Sequence, residues 1–110
     1  MGTEYLITFE PDERYSFPPV NTPAGLWPTY RPRLEARLRA LPGASVRGTT
    51  LEFRTPDEPT RGMPSLAIEI RDAEIYACEY GDAKLASDVL GVIMRALVNE
   101  GFRAHFAMLE

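Results

Sequence analysis

Cys78 and His105 are the residues of this chain best suited to nucleophilic chemistry, because a thiol beside an imidazole base is a readily activated nucleophile. Each is the single residue of its type in 110 positions. Both lie in stretches of alternating hydrophobicity, so the pair requires two strands of one sheet to bring them together. The plainer reading is that Cys78 is a small hydrophobe packed in a strand, and that His105, next to Arg103, is exposed or hydrogen-bonded. No serine sits in a G-x-S-x-G elbow, and no glycine-rich loop precedes a helix in the form that cradles phosphate. Carboxylates such as Glu79 and Asp82 lie near one another, but sixteen acids guarantee some proximity without a catalytic purpose. One histidine and one unpaired cysteine, with no D-x-D-x-D-G loop and no H-x-x-E-H spacing, give no metal-binding pattern. The expectation is no catalytic residue, no metal and no cofactor, and therefore a protein that is not an enzyme.

Charge points to the kind of partner. The net charge is −4, and it is unevenly placed. Arg31, Arg33, Arg37 and Arg39 face only Glu35 in one stretch, whereas Glu69, Asp72, Glu74, Glu79, Asp82 and Asp88 face only Arg71 and Lys84 in another. Such asymmetry steers charged partners, although solvated faces of both signs also produce it. Eleven of the twelve basic residues are arginines, which fits codon bias in a GC-rich genome and lowers the weight of any one of them. An acidic strand pair repels phosphate, and the RNP signature of a basic residue followed by Gly-aromatic-Gly-aromatic is absent, so no nucleic-acid partner is expected. The apolar run Val89 to Val98 is about half the ~20 residues that span a bilayer. With a lone cysteine and no leader-like N-terminus, a cytoplasmic protein without a membrane segment is expected.

The length suits one domain over 1–110, large enough to bury a core without disulfides. Glu4 to Glu10 alternates as a first strand, with Tyr5, Ile7 and Phe9 on one side. Residues 11–28 hold Pro11, Pro18, Pro19, Pro23, Gly25 and Pro28 and read as a long Pro-rich loop. A first helix is expected from Thr29 or Arg31, with Leu34, Leu38 and Leu41 as its buried stripe and Pro42-Gly43 as its stop. Val46 to Arg54 reads as one strand, and 55–64, with three prolines and a glycine, as a second loop. Leu66 to Ile70 and Ile75 to Tyr80 alternate on either side of Asp72-Ala73 as a hairpin. Asp82 caps a second helix that ends at Gly101, so apolar that it should be nearly surrounded. Phe102 to Met108 alternates as a last strand.

That order resembles the ferredoxin-like plan: an α+β fold, β-α-β-β-(β)-α-β, with an antiparallel sheet and two helices on one face. The resemblance is to a superfold without a signature motif, and it implies nothing about activity.

Two features read as interaction surface. One is the first loop, whose Phe17 and Trp27 either anchor a partner or fold back over the open end of the core. The other is the acidic hairpin, whose meaning depends on register. A two-residue turn sets Ile70 opposite Ile75 and shows Glu69, Glu74, Tyr76, Cys78 and Tyr80 on the other side. A three-residue turn pairs Ile70 with Tyr76 and buries the tyrosines. The first is favoured because Ile75 and Ala77 suit a buried side. The expected function is a small acidic protein-binding module, of the inhibitor or immunity type, that covers a basic surface of a partner protein. Its contacts are Glu69, Glu74, Tyr76, Glu79 and Tyr80, with Phe17 and Trp27 as a second patch. The competing readings are a small-ligand regulatory domain that works as a homodimer, and a small enzyme of unassigned chemistry.

Overall fold

The computed structural model describes residues 2–11, 23–54, 64–72 and 74–109, with the side chains of residues 11, 23–27 and 29 left out. Phe17, most of the loop assigned to 11–28, and the span 55–63 lie outside the described residues. The elements are β1 (Thr3–Pro11), α1 (Pro23–Arg39), β2 (Ala44–Arg47), β3 (Thr50–Phe53), β4 (Leu66–Ile70), β5 (Glu74–Glu79), α2 (Ala83–Asn99) and β6 (Phe102–Leu109). The six strands form one sheet in the order β2-β3-β4-β5-β1-β6, and every neighbouring pair is antiparallel.

Alternation decides which face is buried. Tyr5 and Ile7, Leu51 and Phe53, Leu66, Ile68 and Ile70, and Ile75 and Ala77 all point to one side. There they join Tyr30, Leu34 and Leu38 of α1 and Ala86, Val89, Leu90, Ile93, Ala96 and Leu97 of α2 in one cluster. Both helices therefore cover the same face, and among the described residues the other face of the sheet carries no helix. The stripe Tyr30, Leu34, Leu38 repeats every four residues, which keeps one edge of α1 on the sheet. Asp82 caps α2, its carboxylate accepting from the Leu85 N–H at 3.0 Å. Gly101, at φ +92°, turns the chain into β6.

Three expectations change. First, α1 starts at Pro23 instead of near Thr29, and Pro28 and Pro32 lie inside it. Proline in a first turn costs no hydrogen bond, and each later proline removes the bond to the carbonyl four residues back and presses its ring on that carbonyl, a cost that burial of Tyr30, Leu34 and Leu38 offsets. Second, Val46 to Arg54 is not one strand but the hairpin β2–β3, in which Arg47 faces Thr50. Gly48 at φ +63° opens its two-residue turn, the backbone geometry that such hairpins demand. Third, α2 is not nearly surrounded. Ala83, Ser87, Asp88, Arg95 and Val98 are exposed, because two helices on one sheet leave their outer sides without a further layer.

Gly43, at φ +79°, joins α1 to β2 where a β-carbon would stand 2.4 Å from the carbonyl oxygen of Arg54. The Arg54 N–H in turn donates to the Gly43 carbonyl at 3.1 Å. A β-carbon at Gly48 would meet nothing within 4 Å. Gly48→Ala should therefore cost about 1–2 kcal/mol, the strain of a left-handed residue. Gly43→Ala, which must also displace the backbone of Arg54 just after β3, should cost more than about 3 kcal/mol in urea denaturation.

Candidate functional site

The hairpin's acids and tyrosines meet on the face of β3, β4, β5 and β1 that carries neither α1 nor α2. Ile70 lies opposite Ile75 and Glu69 opposite Tyr76, and the Arg71 N–H donates to the Glu74 carbonyl at 2.9 Å to close the turn. The register with a two-residue turn is thus the one formed. Ile75 and Ala77 have no exposure, while Glu69, Glu74, Tyr76 and Tyr80 are half-buried on the opposite side.

Arg71 organises this face. Its Nε donates to Glu69 Oε1 at 3.1 Å and its Nη1 to Glu74 Oε1 at 2.8 Å. The same guanidinium lies 5.0 Å from the centre of the Tyr76 ring, within cation–π range. Two acids and one tyrosine are therefore fixed around one cation, and hydrogen bonds to both carboxylates raise its affinity for its proton. On the other side of the ring, Glu4 of β1 accepts a hydrogen bond from the Tyr76 hydroxyl. β1 brings Glu4 there because it sits opposite Cys78, and Leu6 lies opposite Tyr76.

Cys78 lies beneath this arrangement. It is 8% exposed, and a β-carbon on Gly2 would come within 2.6 Å of its sulfur, so Gly2 packs against the thiol. The neighbouring Cys78 thiol, and then burial, push the pKa of the Tyr80 hydroxyl up. Tyr76 is held protonated mainly by its bond to Glu4 and then by desolvation. Thr50, Ala67, Glu69, Tyr76, Cys78 and Tyr80 line a shallow depression of about 170 Å³.

Glu79 is not part of this surface. One residue out of step with Tyr76 and Tyr80, it points to the helix-covered side, where it is 7% exposed. There its carboxylate accepts a hydrogen bond from the Tyr5 hydroxyl at 3.0 Å. Burial, and then this bond, push the Tyr5 hydroxyl's pKa up. Phe17 is outside the described residues, and Trp27 falls in α1 with its side chain outside them. Glu4, Arg71 and Gly2 are the members that sequence reasoning missed. The alternation that buries Tyr5 and Ile7 already turns Glu4 to the open face, but its place beside Tyr76 depends on a pairing of strands about seventy residues apart.

Cys78 and His105 do not meet. His105 lies opposite Thr8, which lies opposite Glu74, four residues along β5 from Cys78. At ~3.3 Å per residue and ~4.8 Å per strand, that is roughly 16 Å. His105 Nε2 stands 3.3 Å from Glu10, which also accepts from Arg103 Nε at 3.1 Å. Among the described residues no group of three His, Cys, Asp or Glu is placed to hold a metal ion, and no helix is long and apolar enough to cross a membrane.

The chain matches no protein-family model, no curated protein and no solved structure at a significant level.

Both tyrosine bonds are open to test. Tyr76→Phe should cost about 1 kcal/mol near neutral pH, the worth of one half-exposed hydrogen bond. Tyr5→Phe should cost about 1–3 kcal/mol, because it strips a donor from a buried carboxylate. The folded chain holds the Tyr76 proton more tightly than the unfolded chain, whose phenol titrates near 10.0. Alkali therefore deprotonates the unfolded state first, and stability present below that pH falls as pH rises above it. In Tyr76→Phe this alkaline loss should be smaller, as read from urea midpoints across the alkaline range.

Proposed function

We propose that the chain is a protein-binding module of the inhibitor or immunity type, and that the uncovered face of β4, β5 and β1 is its contact surface. The fold that carries it is inferred to be a ferredoxin-like unit, β4-β5-β1-β6 with α1 and α2, widened at the β4 side by the β2–β3 hairpin.

The observation that carries the reading is the arrangement of Tyr76 between Glu4 and Arg71. A tyrosine whose ring and hydroxyl are both fixed before binding offers contact area at little further entropic cost, which is the property of interface anchors. Tyr80 extends the same patch. The contact set is Glu4, Glu69, Glu74, Tyr76 and Tyr80, and buried Glu79 drops out of it.

The charge of the patch supports a basic partner, with one refinement. Glu69 and Glu74 are already engaged by Arg71, so a partner's arginine or lysine binds by sharing or displacing that guanidinium. The attraction is weaker than bare carboxylates would give, and it serves to steer and to select register.

A pull-down from the native cells at low and at high salt tests this. A stoichiometric basic protein, released by salt and lost with both Glu74→Lys and Tyr76→Ala, is the expected result. A partner that tolerates both substitutions binds elsewhere, and the reading fails.

A second reading is favoured by one cleft of about 250 Å³ between α1 and the β2–β3 turn, lined by Arg31, Glu35, Arg39, Thr49 and Thr50 among others. Arg31 is committed to Glu35, Asp72 and the Ile70 carbonyl. The Arg39 guanidinium stands 3.9 Å from Glu35 and can turn toward a small anion. A thermal shift with simple carboxylates or phosphates, abolished by Arg39→Ala, would favour a ligand-binding domain.

A further inference from the structure

The two ends of the sheet are built differently. β2, at one end, has four residues and closes on Arg47. Short length and a basic side chain are the usual ways in which a sheet edge is kept from pairing with another chain. β6, at the other end, has eight residues, Phe102–Leu109. From Ala104 to Leu109 it holds no proline, lysine, arginine or carboxylate, and no strand lies beside its outer edge among the described residues.

The wall above that edge is apolar as well. Phe106 is 48% and Met108 61% exposed on the helix-covered side of β6. Tyr5, Ser87, Leu90, Gly91, Met94 and Phe106 are among the residues that line a groove of about 340 Å³ between α2 and the sheet. Phe106 is fixed there by stacking on Tyr5, ring centres 5.4 Å apart. Ala83, Ser87 and Gly91, one turn apart along α2, all line this groove, and the Arg95 guanidinium lies over Gly91.

We propose that β6 pairs antiparallel with β6 of a second copy of this chain, with the two-fold axis at Phe106, to form one continuous twelve-stranded sheet. The outer edge of a strand offers a row of N–H and C=O groups, a template on which another extended segment pairs in place of water. The sequence of β6 fits its own copy. With Phe106 opposite Phe106, Ala104 falls opposite Met108, His105 opposite Ala107 and Arg103 opposite Leu109. No like charges meet, and Ala104, Phe106 and Met108 of both copies lie on the helix side, whereas Ala107 and Leu109 lie on the other. A two-fold through the sheet normal keeps both α2 helices on that side, above the seam. The wall is about 27 Å long for eight residues and about 20 Å high, a helix over a sheet layer. The two copies together then cover on the order of 1,100 Å², just above the ~1,000 Å² at which specific interfaces begin. The contact face of β4, β5 and β1 stays open in such a dimer.

Sedimentation velocity of the whole chain from micromolar to millimolar concentration should show a monomer–dimer equilibrium. Met108→Lys, which adds an edge-blocking charge at an exposed position, should leave a monomer with unchanged circular dichroism. Facing residues in antiparallel strands have Cα atoms about 4.5–5.5 Å apart, a separation that a disulfide spans. Phe106→Cys, with buried Cys78 left in place, should therefore form a disulfide-linked dimer under mild oxidation, and Arg103→Cys should not. A monomer at every concentration overturns the proposal. So does a dimer that survives Met108→Lys, or one in which Phe106→Cys fails to cross-link. If Met108→Lys unfolds the chain, the contrast between the two cysteine variants decides.

Discussion

The pairing of Ile75 with Ile70 on one side and Ile7 on the other fixes the face on which the remaining side chains of the sheet lie. Side chains in a strand alternate, so a slip of one residue at either pairing would exchange core and surface along a whole strand. Burial of three isoleucines on the helix side makes that slip costly. Tyr76, Glu69, Glu74 and Glu4 are then left on the opposite face, and Glu79, an odd-numbered neighbour of Ile75 and Ala77, is drawn inside. The hydrophobic core and the candidate site are consequences of the same registration.

Glu79 shows how the fold handles a misfit. Its position on β5 puts a carboxylate on the buried side, and the structure answers with the Tyr5 hydroxyl. A paired buried carboxylate adds little net stability, but it penalises any arrangement that separates Glu79 from Tyr5. Since Tyr5 also faces Ala77 and stacks on Phe106, this contact ties β5, β1 and β6 into one alignment.

Much of this was legible in the sequence. The strand alternation, the stripe Leu34 and Leu38 and the Asp82 cap depend on local pattern, and local pattern carries them, whereas the hairpin register stayed open between two turn lengths until the pairing of Ile70 with Ile75 decided it. The β2–β3 hairpin was hidden because Gly48 is a single glycine in an otherwise strand-like run, and a two-residue turn needs no more signal than that. The start of α1 was hidden because Pro28 and Pro32 argue against a helix that tertiary burial of Tyr30, Leu34 and Leu38 maintains. Placing Glu79 with the surface acids weighed its charge above its parity. The bond between Tyr76 and Glu4 required knowing that β1 pairs with β5, which no local pattern reveals. The full six-strand order, likewise, depends on contacts between distant segments.

Gly2, lying over the Cys78 sulfur, makes the thiol a latch indicator for the beginning of the chain. Cys78 is 8% exposed in its depression, and a bulky reagent reaches its sulfur more readily when the Gly2 end of β1 lifts away from β5. The rate of alkylation therefore scales with that opening equilibrium multiplied by the intrinsic reactivity of the thiol. The same lifting uncovers the Glu4 side of Tyr76. The chain therefore carries, in its one cysteine, a built-in clock for the motion that would loosen its candidate contact surface.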